Sequence, residues 1–212
     1  MTQSDRNPTR NEGFTLVEVM IAVGIMTVGS LGILSMHSAV TRANREAREM
    51  NMALAVTETW MERIERDSLL WTQPELNTPE ILGTEYLRVI GNLVDETAWF
   101  TPTPTNTAWA AGFDFFGQDT RTAAEVKYCV NVRLAWHRQG RSARVDVRTY
   151  WLREDRSMGG ATPAHPNWVD PGDFRTSNCT ASDADSWSLG DAPNINVIYA
   201  STIVGWIRRD PP

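Results

Sequence analysis

Eighteen consecutive residues from Val19 to Met36 carry no charge. A run of that length forms a helix that crosses most of a bilayer, since a span needs about 20 apolar residues. The rest of the chain belongs to water. Mean hydropathy over the whole sequence is -0.34, which leaves no room for several spans and excludes a multi-pass transporter. A secretory signal peptide fits less well than an anchor, because the apolar region is too long and its far end, His37-Ser38-Ala39, is a poor small-residue cleavage site. Arg6 and Arg10 precede the run and Arg42, Arg45 and Arg48 follow it, so the distribution of positive charge leaves its orientation open.

Residues 1 to 13 are polar and contain Pro8, and they read as a short leader. Just beyond them Glu18 interrupts the apolar sequence, four residues after Phe14. Insertion into lipid penalises a carboxylate steeply, so this one needs either the headgroup region or a positive partner. Cleavage between Gly13 and Phe14 would create such a partner: the new amine is cationic and can pair with Glu18 of a neighbouring, axially shifted copy. The plainer alternative is an interfacial Glu that snorkels to water.

Glu12-Gly13-Phe14-Thr15-Leu16-Val17-Glu18, followed by fourteen small or apolar residues, resembles the processing site of type IV prepilins and type II secretion pseudopilins. The resemblance implies that a membrane-embedded aspartic prepilin peptidase cuts after Gly13 and N-methylates Phe14, and that Glu18 serves subunit registration. The stretch from Leu31-Gly32 through Asn44-Arg45 and Leu54 to Trp60-Met61-Glu62-Arg63-Ile64 also looks like the PilV-like group, the type IV pilus modification proteins among the minor pilins. Many major pilins carry a Pro in the part of the helix that here holds Gly24, Gly29 and Gly32, and this chain has none there. The implied function is that of a minor pilin, incorporated at a pilus tip or priming complex and supporting assembly and adhesion or motility. Its implied partners are other minor and major pilins, the prepilin peptidase and the inner membrane. The implied location is a single-pass inner-membrane protein with a periplasmic head, and later the filament. A type II secretion pseudopilin, or a pilus-carried adhesin or DNA-binding head, are the alternatives.

After His37 neither Pro nor Gly occurs until Pro74. Ala43, Ala47, Met50, Leu54, Thr57, Met61 and Ile64 recur at alternating spacings of four and three, a stripe along one helix face that is expected to pack on a head while the other face stays charged. Arg42 with Glu46, Arg45 with Glu49, and Glu62 with Arg66 are supporting i,i+4 pairs. The expected organisation is a leader at 1–13, a long helix at 14–67 with its transmembrane half at 14–37, and a globular head at 68–212. Such a helix is about 80 Å long. Gly24, Gly29 and Gly32 either let its first half bend or provide small-residue contacts between helices.

In the head, Glu85 to Ile90 is expected as a short strand and residues 95–119 as a surface loop. Val126, Tyr128, Val130, Val132, Leu134 and Trp136 alternate with polar residues and predict a half-buried strand, with Cys129 on its polar-facing side. A turn at Arg138-Gln139-Gly140-Arg141 leads to Val145, Val147 and Trp151, completing a hairpin, and Ile195 to Ile207 is the last strand. The fold class is α+β, a long N-terminal helix packed on a C-terminal antiparallel sheet, in a pilin-like arrangement. Cys129 and Cys179 are the only cysteines. Outside the cytoplasm an even count favours one disulfide, which closes a loop of roughly 50 residues and contributes about 4 kcal/mol; two unrelated buried thiols are the alternative. The bridge would pin the Gly/Pro/Asp-rich segment 157–194 against the sheet.

A net charge of -6 argues against nucleic acid as the main partner, because neutralising phosphates needs a basic excess. Arg138, Arg141, Arg144 and Arg148 still make the hairpin locally basic, as a DNA-contacting patch or as a solvated strand face. Asp170, Asp173, Asp183, Asp185 and Asp191 are either an acidic flexible loop or a calcium cluster, although their spacing is not that of an EF-hand. His37, His137 and His165 are scattered, and no phosphate-cradling loop or nucleophile elbow occurs. The sequence therefore predicts no catalytic residue, no metal site and no cofactor.

Overall fold

The computed structural model describes residues 15–73, 78–91, 95–105, 109–153, 168–187 and 189–206. The chain divides into two compact units, residues up to Arg48 and residues from Glu49 onward. Helix α1, Leu16–Ser68, runs through both.

In the first unit every described residue, from Thr15 to Arg48, is exposed. The helix contains an 18-residue window of mean hydropathy 2.1, so it meets the length and composition of a membrane span. Its hydroxyls do not stay bare: Thr27 donates to the Val23 carbonyl at 2.7 Å and Thr41 to that of His37 at 2.9 Å, a back-bonding that makes such residues tolerable in an apolar helix. No atom lies within 4 Å of where side chains at Gly24, Gly29 and Gly32 would begin, so packing within the chain does not require these glycines.

The second unit is built on a five-stranded antiparallel sheet in the order β4-β3-β5-β6-β7. Its strands are β3 Gly112–Phe113, β4 Asp119–Thr120, β5 Tyr128–Arg138, β6 Ser142–Leu152 and β7 Ile195–Gly205. Two further short strands, β1 Thr72–Gln73 and β2 Thr78–Pro79, pair with each other. The β5–β6 hairpin forms where the alternation predicts it, and Gly140 takes φ +69° in its turn, a left-handed conformation that glycine adopts without strain. The arrangement is α+β, with the long N-terminal apolar helix preceding the antiparallel sheet.

Two apolar layers sandwich this sheet. On one face Ala53, Val56, Trp60 and Ile64 of α1 meet Tyr128, Val130, Val132 and Leu134 of β5 and Val145, Val147 and Trp151 of β6. On the other face two short helices, α2 Pro171–Thr176 and α3 Ala181–Ser186, bring Phe174, Cys179 and Ala184 onto Cys129 and Tyr150. The strand expected to be half buried is therefore buried on both sides over Tyr128–Val132. Cys129 and Asn131, placed on a polar face by alternation alone, are both 0% exposed. Alternation reports side-chain polarity, and the α2–α3 segment supplies a cover that the strand's own residues do not announce.

The packing face of α1 also differs from the expected stripe. Its buried positions are Glu49, Ala53, Val56, Thr57, Trp60, Arg63, Ile64 and Asp67, whereas Ala43, Ala47, Met50 and Leu54 are exposed. Three charged residues lie on the packed side because each finds a partner there. Glu49 takes Lys127 Nζ at 3.2 Å. Arg63 forks onto Asp119 at 2.8 and 2.6 Å. The Asp67 carboxylate accepts the backbone N–H groups of Glu85, Tyr86 and Leu87 at 2.6, 2.8 and 3.1 Å. Those three bonds also explain why 85–90 is not a strand: donors gathered on one carboxylate curl the backbone, which continues as a 3-10 turn at Leu87–Val89.

The expected surface loop at 95–119 is partly structural. Among its described residues Ala110, Ala111 and Phe113 are buried, Glu96 and Phe100 bridge to β5, and Asp119 anchors Arg63. Its composition resembles that of a loop, yet it extends the sheet beyond β5.

Candidate functional site

The residues predicted for cleavage and methylation, Gly13 and Phe14, lie outside the described residues. The description begins one residue later, with a helix start of defined chemistry. Thr15 precedes the first helical residue. Its N–H donates to Glu18 Oε2 at 3.0 Å, its hydroxyl donates to the same oxygen at 2.9 Å, and the Glu18 N–H returns to the Thr15 hydroxyl at 3.3 Å. This is a capping box, in which two helix-end donors that have no intrahelical partner are satisfied reciprocally. Glu18 also sits in the first turn, where a negative charge is favoured by the helix dipole. Both Thr15 bonds fall on Oε2, and among the described residues Oε1 takes no hydrogen bond.

Glu18 thus has a role inside its own chain, besides any pairing with a neighbour. The signal was legible: Thr15-x-x-Glu18 directly before an apolar run is a helix-start pattern.

Cys129 and Cys179 are joined in a disulfide across a sequence separation of 50. Cys179 and its neighbour Asn178 adopt φ of 60° and 50°, and the Asn131 amide donates to the Cys179 carbonyl at 2.8 Å. Thr101 donates to that carbonyl at 2.9 Å and accepts from Ala181 N–H at 3.0 Å. A bond, an amide and a hydroxyl thus hold the outer layer on the sheet.

The four arginines of the hairpin do not form one basic surface. Arg148 is 4% exposed; it donates to Asn131 Oδ1 at 3.1 Å, pairs with Asp185 at 2.7 Å and lies 4.5 Å from the Trp99 ring centre. Arg144 reaches Asp146 at 3.2 Å. Two of the five aspartates serve separate local ends: Asp170 caps α2 through Gly172 N–H at 2.7 Å, while Asp185 neutralises Arg148. Among the described residues no three His, Cys, Asp or Glu side chains gather as a cation site.

Electrostatics in the second unit follow burial. Desolvation, reinforced by the nearby Glu49 charge, pushes the Tyr128 hydroxyl up to about 12. Burial and the adjacent Glu85 raise Tyr86 as well. Asp146 goes the other way. Its burial favours the neutral acid, but hydrogen bonds from Ser201 and Arg133 and the charges of Arg144 and Arg133 outweigh this and hold the carboxyl below its ordinary value.

An apolar helix, exposed along its length up to Arg48, thus begins with an acid fixed in its first turn. Residues 8–34 match the prokaryotic N-terminal methylation motif. The match spans Gly13, Phe14 and Glu18 and supports a type IV pilin-like protein. No curated protein and no solved structure matches the chain. The motif is a structural one of the pilin type rather than an enzyme family. For a pilin-like chain it implies association with pilins and with the prepilin peptidase in general, and together with the apolar helix it is consistent with membrane anchoring and pilus incorporation.

Proposed function

We propose that this chain is a minor pilin of the PilV-like kind, which enters a type IV pilus at the tip or in a priming complex after its leader, residues 1–13, is removed and Phe14 is N-methylated. The observation that carries this reading is the methylation motif at 8–34 at the head of a helix whose apolar side chains are exposed from Leu16 onward. Such a helix has two environments that cover it, a bilayer and a bundle of like helices. Residues 14–37 act as the membrane-spanning half before assembly, and the residues beyond 67 form the periplasmic head. The PilV-like assignment draws on the unbroken helix and on the stretch from Leu31 to Ile64.

In this reading Glu18 has two tasks. Through Oε2 it caps its own helix, and through Oε1 it accepts the cationic amine of an adjoining, processed subunit. The capping bonds hold the carboxylate in one rotamer before the neighbour arrives, so less side-chain freedom is lost when the pair forms.

Intact-mass measurement with amino-terminal sequencing of the membrane-extracted protein tests the reading. A start at methylated Phe14, with the same species recovered in sheared pili, is the expected result. A chain that retains Met1 and never accompanies pili overturns it.

A further inference from the structure

Met52 of α1 meets the turn between β3 and β4 with its sulfur. Its Sδ lies 2.5 Å from the point where a Cβ at Gly117 would sit, with Cγ at 3.6 Å and Cε at 3.9 Å, so the thioether rests against the glycine backbone. Gly117 holds φ +74°, and a residue without a Cβ suits both that conformation and that contact. Met52 itself is half-buried and packs on the core between α1 and the sheet.

The turn depends on this support. β3 and β4 share two residue pairs, Gly112 with Thr120 and Phe113 with Asp119, a ladder too short to hold a hairpin in water by itself. Inside the turn the Asp114 carboxylate accepts the N–H groups of Phe116 and Gln118 at 2.8 and 2.9 Å, and the Gly117 N–H donates to the Asp114 carbonyl at 3.1 Å. These bonds shape the turn without tying it to its surroundings. β3 is tied to β5 by pairing, and α1 holds the rest at two places about three helical turns apart: Met52 against Gly117, and Arg63 forked onto Asp119. The tip between these ties carries Phe115 and Phe116, an edge-to-face pair with ring centres 5.6 Å apart and exposures of 46% and 72%.

Both cysteines are spent in the disulfide, so the sulfur open to a peroxide is that of the methionines. A hydroperoxide reacting at Met52 gives its terminal oxygen to the sulfur. The O–O bond breaks as the S–O bond forms, sulfur loses two electrons, and the proton of the transferred oxygen passes to the leaving oxygen, which departs as water or an alcohol. The new oxygen is a strong acceptor, and the neighbouring Gly117 N–H is already committed to Asp114. An acceptor held in that contact without a donor is penalised. The side chain therefore turns toward water, and Gly117 loses its support.

We propose that Met52 is a sulfoxidation site, and that a hydroperoxide acting there releases the β3–β4 turn from α1 and loosens the presentation of the Phe115–Phe116 pair, while the Arg63–Asp119 fork keeps β4 in place.

Hydrogen peroxide treatment of the full-length chain in detergent micelles tests this, with peptide mass mapping of the oxygen added at Met52 and residue-resolved amide exchange on the same sample. Once Met52 carries the oxygen, the amides of Phe116, Gly117 and Gln118 should exchange at least about tenfold faster, while those of Trp60 and Ile64 in α1 and of Val130 and Val132 in β5 should not change. Met52→Leu keeps an apolar side chain of similar volume and should hold the turn amides slow with or without peroxide. Met50→Leu removes an exposed sulfur on the same helix and should leave the response unaltered. Met52→Gln, polar and unbranched, should reproduce the faster exchange without oxidant. Turn amides that stay slow in the chain oxidised at Met52 overturn the proposal, as do a response that persists in Met52→Leu and a Met52 that stays unmodified when Met50 is fully converted.

Discussion

At position 18 one side chain serves as a cap and as a charge, and the two uses respond differently to substitution. Gln preserves a capping box because its amide oxygen still accepts the Thr15 N–H, but it carries no charge for a neighbour's amine. Glu18→Gln should therefore leave amide protection at the start of α1 and leader processing unchanged while lowering the fraction recovered in pili by about tenfold or more, as expected when a charge-assisted contact is lost. Thr15→Val removes the hydroxyl from both of its bonds and should fray the first turn, with Thr15→Ser restoring it; exchange of the Glu18 amide reads this directly. Asp67 is the comparable residue in the head. Asp67→Ala leaves three backbone donors at 85–87 without their acceptor, a loss of about 3 kcal/mol to be seen as a lower urea midpoint. Asp67→Asn, which keeps one oxygen, should lose less.

Among the elements, the second half of α1 is attached by charges as well as by apolar contact. The Arg63–Asp119 fork is largely buried, with side-chain exposures of 8% and 18%, and the guanidinium lies 4.8 Å from the Trp109 ring centre. Removing one member strands the other: Arg63→Ala should cost about 3 to 5 kcal/mol, and a double-mutant cycle with Asp119→Ala should show strong coupling. The β6–β7 pair carries a titration signature. Because the folded value of Asp146 lies below its ordinary 3.8, its contribution is complete above that value and disappears as pH falls through the lower one. Urea midpoints should therefore drop in acid more steeply for the wild-type chain than for Asp146→Asn. Tyr128 works in the opposite direction. Raised from 10.0 to about 12, it contributes fully below pH 10 and loses its contribution as pH rises toward 12.

On the scale of the whole molecule, the disulfide couples the outer layer to the sheet while α1 holds the other face independently. Replacing both cysteines by Ala should lower stability by about 4 kcal/mol on the chain-entropy account. The loss of exchange protection should concentrate at α2 and α3, leaving the interface of Trp60 with β5 and β6 intact. The sequence by itself determined the long apolar helix, the N-terminal methylation motif and the β5–β6 hairpin, and favoured a disulfide between the two cysteines, because each depends on residues close in the chain or unique in it. An uncharged run, a Gly-Phe junction or a two-residue alternation needs no distant context. The tertiary structure alone decided which face of α1 is inward and that β5 is covered on both sides. It also decided that 85–90 turns and that the loop at 95–119 contributes strands. For α1 and 85–90 the physical reason is that a charge is sorted as outward until its partner is known, and the partners Lys127, Asp119 and the backbone of 85–87 lie far from Glu49, Arg63 and Asp67 in sequence; for β5 it is that the covering α2–α3 segment is equally distant. The place of β7 at the end of the sheet among the described residues belongs to that second class, since strand neighbours are visible only when the order of the sheet is known.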